Sequence, residues 1–308
     1  MPASLHHQLT NKKNMKKILV TGATGSLGMG VITTLLSKTN AKNVYALARS
    51  EEKAAPLKEL GVNVRIGDYD DYDSLLNAFK GIETLYMVSN TDVSKRITQQ
   101  NNVVEAALKA GIGRIVYTSY QRKTESPDSP IRQVAAGHLN TEAKLKESGI
   151  AYTILRHGTY TEMVPVFAGH DVLTKHLIYV PAGDGKTSFV RRNDLSEAGA
   201  IILLDETGKY DNQSLELTGP KALSWGDIAD IIGSITTLPI KYVSPSEDEY
   251  KKVATEAGVP AGYVNLFANF SKVIKAHECD KTTSTLEEVL GHRATAVETS
   301  LKEVYGNK

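Results

Sequence analysis

Short apolar, β-rich runs alternate with longer stretches of helical periodicity through the first half of the chain. The run Ile18-Leu19-Val20 drops into Thr21-Gly22-Ala23-Thr24-Gly25-Ser26-Leu27-Gly28. Val31, Ile32, Leu35 and Leu36 then recur at the spacing of one helix face. Further strands are predicted at 43–48, 62–66, 84–88, 114–118 and 152–155, and helices at 51–60, 74–79, 93–110 and 134–146. Asp73 or Ser74 is the expected cap of the short helix, while Gly111 and Gly149 stop the two longest. Strands and helices alternating in this way imply βαβ crossovers and a doubly wound parallel sheet covered on both faces. Right-handed crossovers gather the turns after the strands along one edge of that sheet.

Beyond Arg156 the rhythm changes. A helix is predicted over 167–175, a strand over 178–180, and then the turn-rich Pro181-Ala182-Gly183-Asp184-Gly185-Lys186. A helix over 194–204 and a strand over 214–217 precede a mostly helical end, with helices at 224–235, 247–257, 263–276 and 285–290. Ser224 and Asp227 have capping-box spacing. The organisation expected is a polar tail over 1–14 and a Rossmann dinucleotide-binding domain over 15–160, continued by elements within 186–220. A smaller, interleaved and mostly helical substrate lobe over 161–308 completes it.

Composition narrows the partners. A formal charge of +1 over 308 residues gives no electrostatic reason to bind nucleic acid or a membrane surface. No apolar run approaches the ~20 residues of a transmembrane helix, and residues 1–14 lack the core of a signal peptide. The single cysteine, Cys279, has no metal-ligand spacing around it, and the eight histidines are scattered, so no metal site is expected. A reduced, cytoplasmic setting fits one cysteine.

The glycine turn carries the first chemistry. Placed after a strand and before a helix, it gathers unpaired backbone N–H groups and a positive dipole end where a pyrophosphate can sit. Gly22 permits the turn, Gly25 lets the backbone approach phosphate, and Gly28 lets helix and strand pack closely. Thr24, Ser26 and Leu27 belong to the same cradle. The second strand ends in Arg49-Ser50 rather than in an acid, so a 2′-phosphate is expected and the cofactor is NADP(H). Asp68, closing the third strand, either accepts from the adenine amino group or caps its turn. Val88, Ser89, Asn90, Thr118 and Ser119 end the fourth and fifth strands and are expected along the ribose and nicotinamide half.

Together with Ala48-Arg49-Ser50, Gly67-Asp68-Tyr69, Val116-Tyr117-Thr118-Ser119 and Tyr152-Thr153-Ile154-Leu155-Arg156, the glycine turn resembles the NmrA-like atypical short-chain dehydrogenases. The branch of NAD(P)H:quinone oxidoreductases type 2 and triphenylmethane reductases is nearest. His138-Leu139-Asn140-Thr141-Glu142, Lys146–Ile150 and Ala182-Gly183-Asp184-Gly185-Lys186 are similar to that branch. The resemblance runs from Lys16 to the C-terminus. It implies an NADPH-binding lobe, a small C-terminal lobe and a substrate cleft between them. Two departures concern the substrate: His157 stands where the branch usually carries Asn, and the polar segment 121–133 is longer.

Typical short-chain dehydrogenases protonate their product with Tyr from a Tyr-x-x-x-Lys helix. The corresponding positions are Val134 and His138, so the resemblance implies a site without that acid. His138 and Glu142 lie one helical turn apart, either as a solvated pair or as a site in which Glu142 orients His138 beside the nicotinamide ribose or substrate. Reducing a simple ketone creates a basic alkoxide that needs a placed acid. A quinone spreads its charge, and a cationic dye is neutralised. The expected function is therefore NADPH-dependent hydride transfer to a conjugated small-molecule acceptor, with His138, Tyr120 and His157 as candidate catalytic residues. Tyr160 lines the cofactor and acceptor cleft beside them, and a homodimer is compatible with this reading. The alternative is a non-catalytic NADP(H)-binding redox sensor. A hydrolase is excluded for want of a nucleophile elbow, and Lys186 lacks the glycine spacing of a P-loop.

Overall fold

The computed structural model describes residues 16–306, and the polar opening expected over 1–14 lies outside them. β1 (Ile18–Val20) is apolar and buried at all its positions, as a central strand covered on both faces must be. There follow α1 (Ser26–Lys38), β2 (Val44–Ala48), α2 (Glu51–Glu59), β3 (Asn63–Ile66), α3 (Tyr72–Ala78), β4 (Thr84–Met87), α4 (Arg96–Ala110), β5 (Arg114–Tyr120), α5 (Ile131–Glu147) and β6 (Ala151–His157). Caps account for several of the boundaries. The cap of α3 is Asp71, whose side chain accepts from the Ser74 amide, and not Asp73 or Ser74. α4 begins at Arg96 because Asp92 accepts from the amides of Ser94 and Lys95 and holds them in a turn. β5 and β6 pair as far as Tyr120 and His157, beyond the expected ends, which brings those two residues side by side.

The remaining elements are α6 (Val164–Ala168), α7 (Val172–Lys175), β7 (Leu177–Tyr179), β8 (Lys186–Thr187), α8 (Arg192–Leu204), β9 (Gln213–Leu217), β10 (Leu223–Ser224), α9 (Trp225–Thr236), β11 (Lys241–Val243), α10 (Glu247–Glu256), α11 (Ala261–Lys275), α12 (Thr285–Leu290) and α13 (Val297–Tyr305). The single helix expected over 167–175 is two, because Gly169 adopts φ 89° and breaks it. The capping box of Ser224 and Asp227 starts α9, while α13 has no counterpart in the sequence reading.

Among the described residues the main sheet runs β3-β2-β1-β4-β5-β6-β9, and every neighbouring pair is parallel. This is a Rossmann-type α/β fold. The strand order reverses between β1 and β4, the point at which doubly wound sheets bind ligands. One face is sealed by a core that includes Val31, Leu35, Leu195, Ile202 and Leu286, and the other by Leu75, Phe79, Val103 and Ala107. A separate core around Trp225, Phe189, Ile228 and Val273 holds the C-terminal elements. There β7 pairs with β11 and β8 with β10.

Candidate active site

A cleft of about 490 Å³ opens over the C-terminal edge of the sheet, between the glycine turn and the C-terminal elements. At one end, Gly22 takes φ 57°, and a Cβ there would lie 2.9 Å from the Val88 side chain. A Cβ on Gly28 would come 2.4 Å from the Gly22 carbonyl oxygen, so the close turn requires glycine at both places. Thr21 and Tyr69 brace the turn from behind. Tyr69 Oη lies 2.5 Å from Thr21 Oγ1 and 2.9 Å from the Val88 carbonyl oxygen, and the Val88 amide donates to Thr21 Oγ1 at 2.9 Å. No side chain caps α1 and its first turn holds no acid. The residues that open it, Ser26, Leu27 and Gly28, line the cleft, and among the described residues no Asp or Glu does. An uncapped helix start in a carboxylate-free cleft suits the pyrophosphate of a dinucleotide.

Gly22, Gly25, Ser26, Leu27, Gly28, Val88, Ser89, Asn90, Ser119, Tyr120, His138, His157 and Tyr160 all line this one cleft. Four expected residues do not. Thr24 is exposed outside it. Thr118 is buried behind it, where its Oγ1 accepts from the Ser89 amide at 2.9 Å. Asp68 caps its turn: its Oδ1 accepts from the Asp70 amide and its own amide donates to Ser74 Oγ. Arg49 is exposed at the end of β2. Because β2 registers Val20 with Ala46, Arg49 stands just beyond the level of Gly22 along the sheet.

At the far end His138 sits on α5, 5% exposed, with Nδ1 2.8 Å from the Tyr117 hydroxyl. Glu142 does not orient it. That carboxylate accepts from Ser119 Oγ (2.6 Å), from both terminal nitrogens of Arg122 (3.0 and 2.7 Å) and from Arg156 (2.7 Å). Burial pushes the Glu142 pKa up, but the hydrogen bonds from Arg122 and Arg156 outweigh it and hold the group at about 2. Burial, reinforced by the Arg96 charge, lowers His138 to about 3. Burial alone does the same to His157, whose Nε2 has no hydrogen-bond partner among the described residues and whose Nδ1 lies 3.4 Å from Tyr160 Oη. Both imidazoles are thus neutral at physiological pH.

Tyr120 closes the floor. Its hydroxyl lies 3.0 Å from Thr159 Oγ1 and 3.3 Å from Cys279 Sγ, and burial raises its pKa well above the ordinary value. Its ring stacks on His138 with centroids 6.5 Å apart and meets Phe270 edge-on at 5.9 Å. Phe167 packs on Phe267 and Phe270, giving one aromatic wall. Val134, on α5, lines the cleft beside this wall. Among the described residues no metal-binding cluster occurs, and no helix is long and apolar enough to cross a membrane.

Sequence reasoning missed Tyr117, Arg96 and the phenylalanines. Period-two alternation along β5 places Tyr117 and Ser119 on the side facing α5, which would have found Tyr117. Phe267 and Phe270 share a helix face with Tyr263 at i, i+4 and i+7. Arg96 donates to the Asn90 carbonyl, and a Cβ on Gly137 would strike its side chain at 2.6 Å, so a mid-helix glycine beside His138 was its trace. The polar segment 121–133 reaches the cleft at Gln133, and its first residues are tied to the C-terminal elements. Glu278 accepts from the amides of Lys123 and Thr124, Lys123 pairs with Asp280, and Gln121 donates to the Lys281 carbonyl.

The profile of the NmrA-like family matches residues 14–305. Quinone oxidoreductase 2 of Escherichia coli is 31% identical over 94% of this chain and 98% of its own length. Its structure with NADPH superposes with a TM-score of 0.87, covering 94% of this chain and 99% of that one at 30% identity. The Citrobacter triphenylmethane reductase complexed with NADP(H) is 33% identical with a TM-score of 0.85, over 93% and 99% of the two chains. An NAD(P)H azoreductase of Xenophilus azovorans is 29% identical over 79% of this chain and 82% of that protein.

Proposed function

The chain belongs to the NmrA-like family, and on that premise we propose that it is an NADPH-dependent oxidoreductase whose acceptor is a quinone or a similar conjugated molecule. One observation carries the reading: a phosphate-suited cradle and an aromatic wall share a single carboxylate-free cleft that holds no charged acid. Bound NADPH would supply the hydride. The chain's own residues bind and orient. Gly22, Gly25, Ser26, Leu27 and Gly28 would hold the pyrophosphate, and exposed Arg49 the 2′-phosphate. Val88, Ser89, Asn90 and Ser119 would line the ribose and nicotinamide half.

On the acceptor side, Tyr120, His138, His157 and Tyr160, with Phe167, Phe267 and Phe270, favour a flat conjugated ring by stacking and exclude water. Tyr117 fixes the His138 ring, so that a neutral imidazole offers its second nitrogen to the ribose or the acceptor. The three relatives, named for quinone, dye and azo substrates, support the acceptor class. A buried thiol as the one cysteine supports a cytoplasmic setting. β9 joining the main sheet supports a cofactor domain that takes up residues beyond 160.

The test is NADPH consumption with a panel of benzoquinones, naphthoquinones, azo dyes and triphenylmethane dyes, together with NADPH and NADH binding to wild type and Arg49→Glu. Turnover on at least one acceptor class and a reversed cofactor preference in the variant are expected. Tight NADP⁺ binding without turnover on any acceptor would favour a sensor. An unchanged preference would remove Arg49 from the site.

A further inference from the structure

We propose that Arg192 is the cation that binds the cofactor's pyrophosphate, a role that rests on the reading of the cleft as an NADP(H) site. α8 lies along α1 at unusually close range. Ser196 Oγ donates to the Leu27 carbonyl at 3.1 Å, and a Cβ on Gly30 would sit 2.4 Å from Ser196 Oγ. Arg192 is one helical turn ahead of Ser196 on the same face, which brings it level with the amides that open α1. Its side chain lines the cleft together with Gly25 and Ser26.

The guanidinium is partly buried and held 4.8 Å above the Tyr160 ring. Among the described residues no carboxylate pairs with it. The acids nearby are engaged elsewhere: Glu162 accepts from the Arg192 backbone amide at 3.0 Å, and Asp194 accepts from the amide and hydroxyl of Thr295 at 2.6 and 2.9 Å. Arg96, the other arginine of the cleft, is committed to the Asn90 carbonyl. The cradle's amides offer only partial charges, whereas a pyrophosphate carries two full ones. A stacked, unpaired guanidinium beside that cradle supplies the missing cation in a geometry that suits two phosphate oxygens at once.

The test is equilibrium binding of NADP⁺ and of adenosine 2′-phosphate, which lacks the pyrophosphate, to wild type, Arg192→Gln and Arg192→Lys, with apo melting temperatures. Arg192→Gln is expected to raise the NADP⁺ Kd about ten- to a hundredfold. The Kd for adenosine 2′-phosphate stays within about twofold, and Arg192→Lys recovers part of the loss. NADP⁺ binding unchanged in Arg192→Gln, or an equal loss for both ligands, overturns the assignment while leaving the NADP(H) reading in place. A wild type that does not bind NADP⁺ overturns that reading, and this proposal falls with it.

Discussion

Comparing wild type with His157→Asn on acidification from pH 7.5 to pH 5 isolates the buried imidazole of His157. In the folded protein its pKa is held near 3 by burial, while in the unfolded chain it returns to about 6.5. A depressed folded-state pKa means that the unfolded chain takes up a proton which the native state refuses. Stability is therefore intact above about pH 6.5 and falls as the pH drops from there toward 3. At pH 5 the unfolded chain gains RT ln(1 + 10^1.5), about 2 kcal/mol, from that one proton. The figure is set by the unfolded pKa and needs only that the folded value lie well below 5. The assay is urea unfolding of wild type and His157→Asn at both pH values. The substitution changes stability at each pH, but the loss on acidification should shrink by about 2 kcal/mol in the variant. Equal losses in the two proteins would show that His157 already carries its proton in the native state, and the neutral cleft would be wrong. The same neutrality predicts no limb near pH 6.5 in the kcat profile from either His138 or His157.

Gly28→Ala forces a Cβ to 2.4 Å from the Gly22 carbonyl oxygen. NADP⁺ titration should show at least about a tenfold weaker Kd, and melting a loss of about 1–3 kcal/mol. Phe270→Ala removes the edge contact on Tyr120 and should raise KM for aromatic acceptors about five- to tenfold while the NADPH Kd stays unchanged. Glu142→Gln strips the charge shared by Arg122 and Arg156, and a urea-unfolding loss of about 3 kcal/mol is expected. A loss below about 1 kcal/mol would show that Glu125 and Glu216 already satisfy the two arginines.

Local signals carried the cofactor half into the sequence. A strand, a glycine turn and a helix start are contiguous, so Gly22 through Gly28 could be placed from periodicity and backbone sterics alone. The strand ends at Val88–Asn90 and Ser119 followed from the rule that parallel crossovers gather their turns on one edge. The aromatic end of the cleft was hidden because it is assembled from segments far apart in the chain. Tyr120 meets Phe270 and Cys279 across some hundred and fifty residues, and nothing in either segment announces the other. The error over Glu142 has the same origin. An i, i+4 pair is the nearest reading of His138 and Glu142 along a helix. The arginines that take the carboxylate come from the loop after β5 and from β6, and two guanidiniums outbid one neutral imidazole.

That capture explains why the absent tyrosine acid leaves a coherent site rather than a damaged one. Arg122, Arg156 and Lys281 are met by Glu142, Glu125 and Glu216, so the charges behind Ser119 cancel among themselves and none projects into the acceptor space. Besides Arg96 and Arg192, which keep their protons, that end of the cleft presents two neutral imidazoles, a phenol whose proton is held more tightly than usual, and an aromatic wall. None of these yields a proton readily at neutral pH, so a reaction that stranded an alkoxide here would stall on its product. A conjugated acceptor spreads the incoming charge over its own ring and takes its proton later from water. The chemistry this cleft permits is thus selected by what its buried ion pairs keep out of it.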